Sequence, residues 1–130
     1  LYAYMRVTYT RAREQERRNQ KMNEKEIESV LVREAKRAGG RAYKWISPGN
    51  SGVPDRIVIL PGLQEPVFVE LKTASGKLSS LQCIQIDRLR TLGQYVEVVR
   101  GIKGLADFFR KWGYPDTAER IRKKYGSDEP

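Results

Sequence analysis

The chain has 130 residues, of which 39% are hydrophobic and 32% are charged, and its formal net charge is +9. This length suits one domain with a hydrophobic core, and the apolar content exceeds that of disordered chains. The sequence has one cysteine, Cys83, and no histidine, which excludes an internal disulfide, a histidine-based catalytic triad and a zinc site built on imidazole or several thiolates. Catalysis by this chain would therefore use carboxylates, lysines, hydroxyl groups and a hard metal ion.

The first 21 residues are basic and lack a clear structural pattern. They hold six basic and two acidic side chains, a net charge of +4, but show neither strand nor helix periodicity. We interpret residues 1–21 as a flexible basic segment outside the core: a leader, a cloning artefact or an arm that contacts nucleic acid. No stretch of the chain reaches the roughly 18 apolar residues of a membrane span, so we predict a cytoplasmic protein without a membrane partner.

Seven elements are predicted in the central segment, residues 22–112. Asn23 can cap a helix whose apolar residues recur at helical spacing as far as Gly39-Gly40. After it come strands at 41–46, 56–60 and 66–71, a helix from Ser79 or Ser80 to Gly93, a strand at 95–99 and a helix at 105–112. This order predicts an α/β fold, a mixed sheet of about four strands flanked by helices. Residues 113–130 are predicted to form a basic tail with a helix at 117–124.

Two neighbouring predicted strands carry the residues that favour chemistry. Asp55 follows a loop rich in turn residues, 47–54, and precedes the strand at 56–60. Glu70 and Lys72 lie two residues apart on the next strand, so they share one face, because side chains alternate along a strand. Two carboxylates from adjacent strands repel each other unless a cation lies between them. Mg²⁺ takes hard oxygen ligands, so the pattern fits a magnesium centre at which Lys72 positions or activates a water for phosphoryl chemistry.

The first predicted helix offers a further acidic ligand. Glu24 and Glu28 are four residues apart on one face, and either could add a third carboxylate. Structural roles without catalysis also fit these residues. Glu70 and Lys72 could form an exposed ion pair, and acidic residues in a first helical turn favour the helix dipole.

These motifs resemble those of the VRR-NUC family of PD-(D/E)xK nucleases. Gly52-Val53-Pro54-Asp55 is followed, fifteen residues after the aspartate, by Glu70-Leu71-Lys72, as in the PD-(D/E)xK motif. The similarity covers about residues 22–109 and is strongest to the stand-alone form found in bacteriophages. Its other motifs are Glu24-x-x-Ile27-Glu28, Ser47-Pro48-Gly49, Leu78-Ser79 with Gln82, and Leu92-Gly93.

The resemblance implies a restriction-endonuclease-like core that binds Mg²⁺, with Mn²⁺ able to replace it. The implied metal-binding and catalytic residues are Asp55, Glu70, the main-chain carbonyl of Leu71, Lys72, Gln82 and a first-helix glutamate, with Glu28 preferred to Glu24. It further implies a homodimeric, structure-selective DNA endonuclease that cuts branched DNA such as four-way (Holliday) junctions. Such a protein would be phage-encoded, would act in the cytoplasm of a bacterial host and would use no small-molecule cofactor.

Other residues and other functions remain open at this point. Candidates for DNA contact are Ser47, Asn50, Ser51, Arg56 and Lys77, each of which also fits an ordinary loop or solvated surface position. The alternative functions are a non-catalytic DNA-binding module that retains the nuclease fold and a nuclease of flaps, duplex or single strands. An enzyme acting on a small phosphorylated substrate is disfavoured by the shortage of glycine-rich phosphate loops.

Overall fold

The structure, a computed structural model, describes residues 2–126 and, among these, the side chains of residues 2–13 and 22–126. The predicted order of seven elements after residue 22 is confirmed, and a helix precedes and another follows them. The elements are α1 (Tyr2–Lys21), α2 (Glu24–Arg37), β1 (Arg41–Lys44), β2 (Arg56–Ile59), β3 (Val67–Lys72), α3 (Ser80–Thr91), β4 (Tyr95–Arg100), α4 (Gly101–Lys111) and α5 (Pro115–Tyr125).

The four strands form one mixed sheet in the order β1-β2-β3-β4. The first two pairings are antiparallel, and β3 pairs with β4 in parallel. A parallel neighbour requires a crossover connection, which α3 provides. The parallel register brings the ends of β3 and β4 together, with Lys72 opposite Arg100.

The main core lies between one face of the sheet and helices α2, α4 and α5. Side chains of β3 alternate as predicted, so Val67, Val69 and Leu71 face this core. Burial of each large apolar side chain stabilises the fold by about 1.5–3 kcal/mol. The large apolar helix side chains that are completely buried there are Ile27, Leu31, Leu105, Phe109 and Ile121.

The N-terminus of α2 is held as the sequence predicts. Asn23 is the N-cap, and its side-chain oxygen accepts a hydrogen bond from the Glu26 amide at 2.9 Å. Such a cap satisfies one of the backbone donors left free in the first helical turn. The cap fixes where α2 begins, and therefore which turn of the helix lies near Lys72 at the end of β3.

The structure differs from the sequence prediction at the N-terminal segment. Residues 2–21 form helix α1, for which we predicted no regular element. Every side chain described in this helix, from residue 2 to residue 13, is exposed. Periodicity detects a buried face, and residues 2–13 of α1 present none. Whether this segment serves as a leader or an arm stays a prediction.

The segment predicted as a basic tail forms a helix that packs on the core. The buried side chains of α5 are Thr117, Ala118 and Ile121. Arg120 reaches α2, where its Nε and Nη2 donate to Glu34 Oε2 at 3.0 and 2.8 Å. The last helix is thus part of the packed domain. None of the helices within residues 2–126 combines the length and the apolar character that a membrane crossing requires.

Candidate active site

Three predicted site residues converge where β2 begins and β3 ends. Arg56 is paired with Val69, so Asp55, one residue earlier, lies beside Glu70 on the neighbouring strand. Glu70 and Lys72 point to the face of the sheet opposite the main core, because side chains alternate along β3. Both are buried, with 1% and 9% of their surfaces exposed. The predicted common face of Glu70 and Lys72 is therefore present.

Asp55 is held against the backbone of β3. Its Oδ2 accepts a hydrogen bond from the Leu71 amide at 2.9 Å. A carboxylate bound by a main-chain donor has little freedom to rotate, and the bond also offsets part of the cost of removing the charge from water. The short loop-to-strand connection at Pro54 thus delivers one carboxylate to a fixed position next to residues 70 and 71.

The Glu70 carboxyl group is the most perturbed group of the site. Its Oε1 accepts a hydrogen bond from Gln82 Nε2 at 2.9 Å, whereas its Oε2 is buried and has no hydrogen-bond partner among the described residues. Burial, followed by the charge of Asp55, raises the pKa of Glu70 to about 8, although the Lys72 ammonium acts in the opposite direction. Without a cation at the site, this carboxyl group therefore holds a proton at neutral pH.

Gln82 is oriented by the first turn of α3. Ser79 and Gln82 form a capping box, in which the Gln82 amide donates to Ser79 Oγ at 3.1 Å and the Ser79 amide donates to Gln82 Oε1 at 2.8 Å. Because the Gln82 oxygen is engaged by Ser79, its nitrogen is directed at Glu70. The role of Ser79 was missing from our site prediction, although the Ser-x-x-Gln spacing is a sequence signal for this motif.

Lys72 lies between two acidic side chains. Its Nζ is 3.9 Å from Glu70 Oε1 and 3.9 Å from Glu24 Oε1. Both distances are too long for a hydrogen bond. The ammonium is therefore attracted to both carboxyl groups but hydrogen-bonded to neither, which leaves its N–H donors available to a water or a phosphate.

The two helix glutamates have different environments, and the geometry favours the opposite order to our prediction. Glu28 Oε2 accepts a hydrogen bond from Arg56 Nε at 3.0 Å, and Arg56 also donates to the Ala42 carbonyl at 3.0 Å. Glu24 is half-exposed and faces Lys72. The carboxylate of Glu28 is thus committed to a pair within the fold, while that of Glu24 borders the site. The same pair engages Arg56, which we predicted as a phosphate contact.

The loop before Asp55 is ordered by its own hydrogen bonds and by α3. Asn50 Nδ2 donates to Ser47 Oγ at 2.9 Å, and Gln85 Nε2 approaches the Ser51 carbonyl at 3.4 Å. Gly52 has φ +92°, and a Cβ there would lie 2.6 Å from the carbonyl atoms of Leu81. Only glycine fits this close approach, which joins the loop to the start of α3. Contact of Ser47, Asn50 and Ser51 with DNA stays a prediction, as does contact of the exposed Lys77.

The donor set fits a hard cation with few protein ligands. Among the side chains that the structure describes, no group of three or more aspartate, glutamate or cysteine residues is arranged to hold a metal ion. Two carboxylates are sufficient for Mg²⁺, which commonly binds one or two and keeps several waters. Glu70 Oε2 is buried beside Asp55 without a hydrogen-bond partner among the described residues, and a divalent cation would place a positive charge between the two carboxyl groups.

Comparison with known proteins gives the family. The family model described as the VRR-NUC domain matches residues 4–103. The chain belongs to the VRR-NUC nuclease family. A protein named as a candidate nuclease, p44, from Acyrthosiphon pisum secondary endosymbiont phage 1 is 44% identical over 78 residues, which are 60% of this chain and 83% of p44. A solved structure described as a VRR_NUC domain is 26% identical, with a TM-score of 0.54, and the match covers 78% of this chain and 96% of the other.

Two predictions from the sequence are thereby confirmed. The family resemblance is confirmed by the VRR-NUC match, and the α/β fold with a mixed four-stranded sheet is confirmed by the structure and by its similarity to a VRR_NUC domain.

The range matched by the family model begins earlier in the chain than the sequence motifs do. It starts at residue 4, within α1, whereas the first sequence motif begins at Glu24.

The raised pKa of Glu70 predicts how the metal-free VRR-NUC domain responds to pH. Between its ordinary pKa of 4.5 and about 8, folded Glu70 holds a proton that the unfolded chain releases. The free energy of unfolding therefore includes a contribution from protonated Glu70 at low pH, and this contribution is lost as pH rises through that interval. Glu70→Gln should remove this loss. In chelator, the melting temperature of the variant minus that of the wild type should therefore increase by several degrees from pH 5 to pH 9.

Glu65→Gln is the matched control, because Glu65 is an exposed carboxylate in the connection before β3. Thermal denaturation followed by circular dichroism at several pH values measures both variants. If the melting temperatures of Glu70→Gln and the wild type differ by a constant amount across this range, the buried, protonated state of Glu70 is contradicted.

Proposed function

We propose that this chain is a divalent-metal-dependent endonuclease that hydrolyses phosphodiester bonds in DNA, with branched DNA as its preferred substrate. The observation that carries the proposal is the pair formed by the half-buried Asp55 and the buried Glu70, with the Lys72 ammonium 3.9 Å from Glu70. Membership of the VRR-NUC family and similarity to the phage protein named as a nuclease support it. A module that only binds a polyanion has no use for two adjacent carboxylates, which repel phosphate.

Mg²⁺ is the proposed metal, and Mn²⁺ should replace it because both accept hard oxygen ligands. We propose that Asp55, Glu70 and the Leu71 carbonyl hold the ion, with Glu24 as the acidic neighbour from α2. When bound, such an ion neutralises charge that develops on the phosphoryl oxygens and lowers the pKa of a bound water. Nothing in this donor set requires a small-molecule cofactor.

The chain's own residues position the reacting groups. Lys72 has free N–H donors at the mouth of the site, so we propose that it orients the attacking water or a non-bridging phosphate oxygen. Gln82 holds one oxygen of Glu70, which directs the other oxygen to the site. The Leu71 amide does the same for Asp55. Because these partners fix both carboxylates before substrate binds, little reorganisation is needed during the reaction.

The proposal predicts which substitutions abolish cleavage. Asp55→Asn, Glu70→Gln and Lys72→Ala should each lower the rate of DNA cleavage in Mg²⁺ by at least about 100-fold, because each removes a group that contacts the metal or the phosphate. Binding of DNA should be largely retained, since the substitutions leave the exposed basic residues in place. Cleavage of labelled four-way junctions, flaps, duplex and single strands, with Mg²⁺, Mn²⁺ or chelator, measures the effect and the preference.

Glu24→Gln and Glu28→Gln form a matched pair for the same assay. Glu24→Gln should slow cleavage, whereas Glu28→Gln should remain close to the wild type, because glutamine still offers Arg56 an acceptor oxygen. Equal cleavage by wild type and Asp55→Asn, or no stimulation by either metal on any substrate, would reject the enzymatic proposal. Chelator-insensitive DNA binding without turnover would favour the non-catalytic module instead.

We propose that the active form is a homodimer, because a four-way junction with two-fold symmetry presents two equivalent strands, and two copies present two active sites. Large apolar side chains exposed on β1, β2 and α3 offer a surface for association; they are Tyr43, Ile59, Leu81 and Ile84. Sedimentation equilibrium at micromolar concentration should give twice the chain mass of 15.0 kDa. A monomeric mass combined with symmetric junction cleavage would contradict the dimer.

A further inference from the structure

The parallel pairing of β3 and β4 places an arginine beside the active-site lysine. The register pairs Glu70 with Val98 and Lys72 with Arg100. Neighbouring strands lie about 4.8 Å apart, and paired residues of a parallel ladder point to the same face. Arg100 has extended backbone angles, φ −106° and ψ 114°, so it continues this alternation to the end of β4. Its side chain therefore leaves the sheet on the same face as Lys72.

The turn after β3 links these two basic residues. Arg100 Nε donates to the Gly76 carbonyl at 3.2 Å. A Cβ built at Gly76 would lie 3.3 Å from the Lys72 Cβ. Gly76 is thus packed on Lys72 and bonded to Arg100, so the three residues occupy one corner of the domain, next to Glu70.

The guanidinium of Arg100 is not neutralised by a carboxylate, unlike those of several arginines on the packed domain. Within the part of the chain that the structure describes, Arg100 forms no ion pair. A guanidinium has five N–H donors, and Arg100 uses one of them on a neutral carbonyl. The residue as a whole is exposed to solvent. Arginines that are paired with a carboxylate are Arg56 with Glu28, Arg110 with Asp107, Arg120 with Glu34 and Arg122 with Glu119.

We infer that Arg100 binds the DNA phosphate next to the one that is cut. The inference rests on the proposed function, because it takes Lys72 to mark the scissile phosphate. Arg100 lies one strand further along the same face, and the planar guanidinium fork matches phosphate oxygens. Arg56 cannot take this role without breaking its pair with Glu28. Arg100 is a positioning residue: it holds the backbone of the substrate in register with the metal-binding carboxylates.

Arg41 provides a matched control for this inference. It is also an exposed arginine at the end of a strand, and its Nη1 donates to a neutral carbonyl, that of Gly40, at 2.7 Å. Its register partner is Ile59, at the end of β2 that is remote from Asp55. Arg41→Gln and Arg100→Gln therefore remove the same charge and a comparable hydrogen bond, but only one of them borders the active site.

The test is binding of a fluorescent four-way junction in chelator over a range of salt concentrations. Arg100→Gln should weaken binding about tenfold and reduce the slope of log Kd against log salt by about 0.9, the value for one lost phosphate contact. The affinity and the slope of Arg100→Lys should lie between those of Arg100→Gln and the wild type. Arg41→Gln should keep the wild-type slope. Equal slopes for Arg100→Gln and Arg41→Gln would overturn the inference.

A neutral methylphosphonate placed at each position around the mapped cut site tests which phosphate is bound. At one position adjacent to the cut, wild type and Arg100→Gln should bind equally well, because the contact is already absent. If wild type binds more tightly than Arg100→Gln wherever the methylphosphonate is placed, the assignment is overturned. If wild type binds DNA with the Arg100-dependent slope but shows no metal-dependent cleavage, the proposed function fails and the phosphate contact stands.

Discussion

Two neighbouring carboxyl groups, Glu70 buried and Asp55 half-buried, determine how this site is built. Asp55 and Glu70 come from adjacent strands, and Glu70 is 1% exposed. Ionising both in that place is unfavourable, because water is excluded and the like charges repel. The surrounding structure offsets part of this cost with the Leu71 amide, the Gln82 side chain and the Lys72 ammonium. The remaining repulsion is removed by a proton on Glu70 or, in our proposal, by a bound metal ion.

The groups of the site come from several parts of the fold, so the site depends on the complete domain. The antiparallel pairing of β2 with β3 sets the distance between the acids. The capping box at Ser79 orients Gln82, and the glycine contact at Gly52 joins the loop before Asp55 to the same helix. The parallel strand β4 adds Arg100 beside Lys72. A change in any of these elements would move a charge relative to the others, which is why a rigid scaffold suits this chemistry.

Local signals in the sequence were sufficient for much of this arrangement. Strand alternation predicts that Glu70 and Lys72 share a face, and the cap at Asn23 predicts where α2 begins; both are properties of the backbone. The roles of Glu24 and Glu28 could not be separated in this way. Four residues apart, they lie on one helix face, and only the packing of α2 on the sheet brings Arg56 to Glu28. Helix α1 escaped prediction because its described side chains are exposed.

Metal binding by the isolated chain tests the central claim most directly. Calorimetric titration with Mn²⁺ at pH 7, in two buffers of different ionisation enthalpy, measures both stoichiometry and proton release. Since a metal must displace the proton held by Glu70, we predict one ion per chain, with close to one proton released. Both should be absent in Glu70→Gln. Saturable binding that is unchanged in Glu70→Gln, or no binding by the wild type at all, would contradict the account.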